Sequence, residues 1–424
     1  MRILVLGSGA REHALVAGLV RDPQVTQVLA APGNPGIATV ARCHRVDLLD
    51  GQAVAGLARE LEADLVVVGP EAPLVAGVAD DVRAAGIACF GPSAAAARLE
   101  GSKAFAKEVM EQAGVPTAAA HVCRDLDAVG QALDALGAPH VVKDDGLAAG
   151  KGVVVTDDRE LALAHAAACL GRAPGAQVVV EEYLDGPEVS LFCVTDGSEV
   201  VPLAPAQDFK RLQDGDAGPN TGGMGAYSPL PWAPAGLVEE VVTQVARPTV
   251  DAMRSRRTPF AGLLYVGLAL TSRGLRVVEF NARFGDPETQ VVLSRLRTPL
   301  AGLLRAAATG DLAGFGPLDW SPDAAVTVVV ASAGYPGMPR TGHAIDGLGE
   351  AAAVPGASVL HAGTATDGSG RVISAGGRVL SVVGTGPDLT AARRTAYEAV
   401  SHIRLDGAQY RGDIALAAAG VVAS

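Results

Sequence analysis

The sequence predicts a multidomain α/β and α+β protein: an N-terminal doubly wound parallel sheet, a central domain with a β-hairpin lid, and a small, mainly β C-terminal domain. Three observations carry this reading. The chain has 424 residues, about three times the usual single-domain size, so several hydrophobic cores are expected. Its first part alternates short apolar runs with helix-period segments, the pattern of a parallel sheet with helical crossovers. Further on, valine-rich runs pair across glycine loops, and the last part reads as short strands with glycine turns and one closing helix. The expected units are residues 1–102, 103–318 with the lid at about 117–182, and 319–424.

The elements follow in order. RILVLG (Arg2 to Gly7) is a strand ending in glycine, followed by a helix from Arg11 to Leu19, the strand QVLAA, a helix around Gln52 to Leu61, the strand DLVVVG, one helix to Ala85, and the strand IACFG. Such sheets bind ligands at the carboxyl ends of their strands, here GSGARE, APGNPG, GPEAP and GPS. The middle unit opens with a helix from Lys103 to Ala113 and one around Asp127 to Leu136. PHVVKDDGLAAGKGVVVTDD is a hairpin, followed by a helix from Arg159 to Leu170 and the strands QVVVEEYLDG and EVSLFCV. Between Ala206 and Pro229 lies a long polar loop, and loops of that length inside a compact domain are functional or disordered. A helix from Leu237 to Arg254 and the strands LLYVGLAL and LRVVEFNA finish the unit; AAVTVVVA, SVLHAGT, RVLSVVG and a helix from Leu389 to Ile403 form the last.

Composition bounds the function. Hydrophobic residues at 49% and charged ones at 19% exclude intrinsic disorder, and 52 glycines without a triplet period cluster in short loops where backbone approaches ligands. A net charge of −12 with no Lys/Arg-rich run argues against a nucleic-acid partner. No apolar stretch approaches the ~20 residues that span a bilayer, so no membrane partner and a cytoplasmic location are expected. The five cysteines are scattered without a CxxC pair and read as buried reduced thiols.

Several segments carry chemistry. GSGARE begins like a dinucleotide fingerprint, but Glu12 takes the third glycine position, leaving a helix start whose free amides hold a phosphate. GLAAGKGV is not a Walker loop, because it joins two strands; its amides and Lys151 fold over a triphosphate while Lys143 neutralises an inner phosphate. In EFNARFGDPE, Glu279 and Asn281 share one strand face, a hard oxygen pair suited to Mg²⁺, with Val278 and Phe280 turned to the core and Arg283 projecting beside the pair. Asp286 then reads as a helix N-cap, Pro287 as the first helical residue and Glu288 as part of the first turn. The strand end Glu181, Glu182, Tyr183, Leu184, with Glu188 beyond, can offer backbone groups to an adenine and a carboxylate to a ribose; taken alone, a solvated acidic turn explains it better.

Together these segments resemble the ATP-grasp superfamily and, within it, the phosphoribosylamine–glycine ligase family of purine biosynthesis. The resemblance runs through GSGAREHAL, APGNPG, VGPEAPLV, LEGSKAF, KDDGLAAGKGV, GPNTGGMGAYSP, EFNARFGDPETQ, GYP, HAGT and GGRVL, nearly the whole chain. It implies ATP-dependent joining of glycine to phosphoribosylamine through an acyl phosphate, with Mg²⁺ or Mn²⁺ on Glu279 and Asn281. It further implies Lys103, Lys143, Gly146, Gly150, Lys151 and Gly152 on the ATP phosphates, Glu181 to Leu184 and Glu188 on adenosine, and Arg283 on the transferring group. Gly9, Arg11, Glu12 and Asn34 would face Asn220, Thr221, Gly222, Gly223, Met224, Asp286, Pro287 and Glu288 around the glycine and phosphoribosylamine pocket. Asp208 and Asp286 are candidate bases for the amine, and the substrate phosphate is another. A monomer working on these small molecules is expected. Two positions depart from the family pattern: Asp144, which the strand should turn away from Lys143, and Ala10, where glycine is usual. A formate- or bicarbonate-using ligase of the same superfamily is the runner-up.

Overall fold

The computed structural model describes residues 1–147 and 152–420. The first unit is a parallel sheet in the order Arg42–Cys43, Gln27–Pro32, Arg2–Gly7, Leu65–Val68, Ala88–Phe90. Its two central strands are apolar and buried from Ile3 to Gly7 and from Leu65 to Val68, as a sheet covered on both faces requires. Strand order reverses direction between Arg2–Gly7 and Leu65–Val68, so the loops after these two strands open a crevice at the topological switch point. The expected single helix ending at Ala85 is two, Glu71–Val75 and Val78–Ala84, because Gly77 takes φ +90° between them.

The middle unit holds two antiparallel sheets. Val200–Pro202, Glu188–Asp196, Ala261–Thr271 and Gly274–Asn281 form one; Ala120–Cys123, Val178–Glu181, His140–Asp144 and Val153–Thr156 form the other. The second sheet is backed by helices Leu126–Leu136 and Arg159–Leu170 around its own apolar cluster. The expected helix from Leu237 to Arg254 contains a π turn at Val242–Ala246, next to Pro248, which has no N–H to donate.

The polar loop between Ala206 and Pro229 is more ordered than the sequence suggests. Arg211–Gln213 and Ala217–Asn220 pair as a small hairpin, and Gly225–Ser228 pairs with Ala324–Ala331 in the C-terminal sheet. That sheet runs Gln207–Asp208, Gly225–Ser228, Ala324–Ala331, Arg378–Gly386, Ala357–His361, with helix Leu389–His402 packed on it. A strand from the middle unit therefore lies inside the last unit's sheet. Ala10, the departure noted above, packs its methyl group with Ala14, Leu360 and Val383 at the seam between first and last units. Cys89, Cys123, Cys169 and Cys193 are buried free thiols, while Cys43 is half-buried instead of buried. Among the described residues no helix is long and apolar enough to cross a membrane.

Candidate active site

A cleft of about 1640 Å³ is lined from all three units. At its first-unit wall the chain turns at Gly7, φ +125°, into helix Ala10–Val20. Glu12 folds back beneath this turn, its carboxylate accepting from the Gly9 N–H and from Arg11 Nε, both at 2.6 Å. A Cβ on Gly7, Gly9 or Gly69 would collide with that carboxyl, so these glycines make its berth. The Gly9 amide is thus committed to Glu12 and is not the free phosphate donor expected of this helix start. Arg11 donates to the Phe284 carbonyl at 3.2 Å. Asn34 lies behind the cleft wall, its amide N–H groups on Ser8 O at 2.9 Å and His361 O at 2.8 Å, joining first and last units.

The opposite wall carries the lysines. Lys143 is buried on its strand, its ammonium 2.8 Å from Glu181 and 3.1 Å from the Val278 carbonyl. The other Glu181 oxygen lies 3.2 Å from Lys107, so this carboxylate serves two lysines and only the backbone here remains to face a nucleotide. Lys103 donates to the Gly146 carbonyl at 3.0 Å, at the root of the loop expected to form the lid. Asp145 fixes that root: it accepts from Ser102 Oγ at 3.1 Å, from the Ala104 N–H at 3.0 Å and from Gln177 at 2.6 Å. Asp144 turns outward to pair with Arg172, as strand alternation predicts. Gly152 borders the cleft; Gly150 and Lys151 lie outside the described residues. Glu182 accepts from Ala119 N–H and from Arg273, and with Tyr183 and Leu184 it edges the cleft.

The strand Gly274–Asn281 corrects one expectation. Its register with Ala261–Thr271 slips between Gly267 and Leu268, so Val277 pairs with Leu268, Glu279 pairs with Gly267, and Val278 is the extra residue of a bulge. Val277 and Phe280 take the core positions, while Val278 joins Glu279 and Asn281 on the cleft. Burial alone would raise the Glu279 carboxyl, but Lys210, Lys143 and Lys103 hold it below the usual range. Arg283 does not continue the Glu279–Asn281 face, because the strand ends at Asn281. Its guanidinium lies 3.0 Å from Glu100 and 3.3 Å from Glu71, at the edge of the cleft. Burial would lower its pKa, yet these two carboxylates raise it.

The third wall is acidic. Burial pushes the Asp208 carboxyl up to about 7, with Lys210 opposing and Glu288, Glu188 and Glu279 adding to the rise. Lys210 pairs with Glu188. Glu288 is buried, accepting from Ser190 Oγ at 3.1 Å and Tyr265 OH at 2.9 Å. Asp286 is not the expected N-cap: helix Glu288–Arg295 starts one residue later, with Pro287 in the cap position and no side-chain cap. The Asp286 carboxylate accepts from Gln290 at 2.9 Å and pairs with Arg378 at 3.5 Å. Burial would raise its pKa, but Arg378 and Arg11 keep it low. Asn220, Thr221 and Gly222 border the cleft, whereas Gly223, Met224 and Pro287 pack behind it. The residue reading missed Lys107, Tyr265, Tyr335 and Arg378 on the lining. Tyr335 and Arg378 sit in GYP and GGRVL, recognised only as family segments, because nothing local marks a C-terminal side chain as reaching a loop over one hundred residues earlier.

Comparison with known proteins covers most of the chain. Residues 1–100 match the family model of the phosphoribosylglycinamide synthetase N domain, 101–289 that of the ATP-grasp (A) domain, and 325–417 that of the C domain. Phosphoribosylamine–glycine ligase of Streptomyces coelicolor is 69% identical over 99% of this chain and 100% of the relative. The Mycobacterium tuberculosis ligase is 58% identical over 99% of both. The crystal structure of the Thermotoga maritima ligase superposes with TM-score 0.83 at 31% identity, covering 97% of this chain and 100% of that one. The biotin carboxylase domain of Hydrogenobacter thermophilus 2-oxoglutarate carboxylase, solved with MgADP and bicarbonate, shares the fold at TM-score 0.71 and 17% identity, covering 96% of this chain and 91% of that one.

Proposed function

From the premise that the chain belongs to the phosphoribosylglycinamide synthetase family, we propose that its cleft makes glycinamide ribonucleotide through a glycyl phosphate, with phosphates on the lysine wall and acceptor on the acidic wall. The protein is an ATP-grasp ligase of purine biosynthesis, joining glycine to 5-phosphoribosylamine with release of ADP and phosphate. A glycine carboxylate oxygen attacks the γ-phosphorus and ADP leaves; the amine nitrogen then attacks the acyl carbon and phosphate leaves. The observation that carries this reading is the convergence of Lys103 and Lys143, the Glu279–Asn281 oxygen pair, and the Asn220–Gly222 loop with Asp286 on one cleft.

The oxygen pair fits a divalent cation. Among the described residues the Glu279 carboxylate makes no hydrogen bond, and Asn281 Oδ1 meets only a 3.4 Å contact from Arg283. Mg²⁺ or Mn²⁺ held there would take its remaining positions from phosphate and water and neutralise phosphate charge. Lys103 and Lys143, with Lys151 from the lid loop, are assigned to the ATP phosphates, and the Glu182–Leu184 backbone to the adenine. Arg283 supplies positive charge near the transferring group.

The two carboxylate candidates for the base separate on charge. Asp286 is ion-paired and held low, so it is a weak proton acceptor, whereas Asp208 titrates near neutrality and is matched to taking a proton from the incoming amine. We assign that role to Asp208. Carboxyl-¹⁸O glycine tests the glycyl phosphate: the label passes into released phosphate if the intermediate forms. Unlabelled phosphate would refute it.

A further inference from the structure

The C-terminal unit grips the acceptor loop most closely at Gly222. The Gly222 N–H donates to the Tyr335 hydroxyl at 2.9 Å, and the Gly222 carbonyl accepts from Arg378 Nη1. The same guanidinium nitrogen donates to the Asp286 carbonyl at 2.8 Å and reaches the Gly223 carbonyl at 3.4 Å. Arg378 thus ties the Asn220–Met224 loop to the turn that carries Asp286 and Glu288. Gly222 and Gly223 are both shaped for this. A Cβ on Gly222 would lie 3.2 Å from the Arg378 guanidinium carbon and 3.4 Å from the Tyr335 hydroxyl, and one on Gly223, φ +109°, would collide with Pro287. On the far side, the Tyr335 ring lies over Gly377, where any Cβ would collide with it.

The grip passes on to groups that face the cleft. The Thr221 N–H donates to the Lys210 carbonyl at 2.7 Å, and the Met224 N–H to the Phe209 carbonyl at 2.7 Å. Gly222 is therefore next to a residue hydrogen-bonded to Lys210, itself two residues along the chain from Asp208. A shift of the loop by an ångström moves the acidic wall with it, and misplacement of that size costs about a hundredfold in rate.

We infer that Tyr335 and Arg378 are positioning residues for the amine-transfer half of the reaction, holding the acceptor loop in register with the Asp286 turn. The inference rests on the proposed placing of phosphoribosylamine at the Asn220–Met224 loop. It also gives the C-terminal unit a part in specificity: among the described residues, the lysine wall proposed to hold ATP has no hydrogen bond from Tyr335 or Arg378.

The test is steady-state kinetics of Arg378→Ala, Arg378→Lys and Tyr335→Phe in the full chain, with KM for ATP and for phosphoribosylamine measured separately alongside thermal unfolding midpoints. The expected result is a rise in the phosphoribosylamine KM of about tenfold or more for Arg378→Ala, a smaller rise for Tyr335→Phe and partial rescue in Arg378→Lys, with the ATP KM within about twofold of wild type. An unchanged phosphoribosylamine KM, or a parallel rise in both KM values, overturns the inference. If Arg378→Ala does not fold, Tyr335→Phe decides alone, since it removes one hydroxyl and nothing else. Wild-type enzyme that fails to use glycine and phosphoribosylamine would instead overturn the proposed function.

Discussion

The Lys143 ammonium and the Glu181 carboxylate lie 2.8 Å apart, with both side chains less than a tenth exposed. This pair shapes the lysine wall of the cleft, because Glu181 also neutralises the half-buried Lys107 and so lets two lysines stand beside one another. Removing one partner of a buried pair costs about 3 kcal/mol, since it leaves charge without compensation. Glu181→Gln should therefore lower the free energy of unfolding by about that amount and raise the KM for ATP. Urea denaturation reads the first, and stability equal to wild type would show that Glu181 is not needed to hold the lysines.

Glu279→Ala removes the only carboxylate of the proposed cation pair. Because Glu279 is held ionised by surrounding lysines, its loss should abolish Mg²⁺- or Mn²⁺-dependent turnover, by at least about a hundredfold, without unfolding the chain. Intact metal-dependent turnover in the variant would place the cation elsewhere.

Asp145 anchors the root of the proposed lid, and its loss should uncouple the reaction. An acyl phosphate exposed to water hydrolyses, so Asp145→Ala should form more ADP per glycinamide ribonucleotide than wild type. The ratio of ADP to product, measured in one assay, checks this; an unchanged ratio at reduced rate would mean that closure does not depend on this anchor.

His13 and His361 couple stability to pH at the seam between first and last units. The His361 N–H donates to His13 Nδ1 at 2.9 Å, and the two rings lie 5.9 Å apart. Burial pulls both down to about 4, with His361 adding to the shift of His13. Between pH 6.5 and about 4 the unfolded chain binds protons that the folded chain refuses, so stability is full above this window and falls as pH drops through it. The loss is on the order of 3 kcal/mol per histidine. His13→Asn keeps an acceptor for the His361 N–H but cannot titrate, so its denaturation midpoint should depend less steeply on pH across the window; an unchanged slope would remove His13 from the coupling.

Much of this was legible in the sequence because local rules governed it. The first sheet follows from apolar runs ending in glycine, and the oxygen pair from residues spaced two apart on a strand. What escaped depends on partners far along the chain. The bulge at Val278 is set by the neighbouring strand's register and leaves no mark in the residues themselves. Asp286 looks like an N-cap in GDPE, yet Arg378 and Gln290 draw its carboxylate away from the helix start. Arg283 does stay within 3.4 Å of Asn281, but the pairing of its guanidinium with Glu71 and Glu100 of the first unit was not legible. Glu12 stood where a fingerprint glycine would, and the structure shows why: three glycines around it make room for its carboxyl beneath the turn.

The central claim is that one cleft couples ATP cleavage to joining glycine with phosphoribosylamine. Phosphate release from ATP, with the two substrates supplied singly and together, tests it most directly. The account predicts sustained release and glycinamide ribonucleotide only when both are present; sustained release with formate or bicarbonate in place of glycine, and none with glycine, would contradict it.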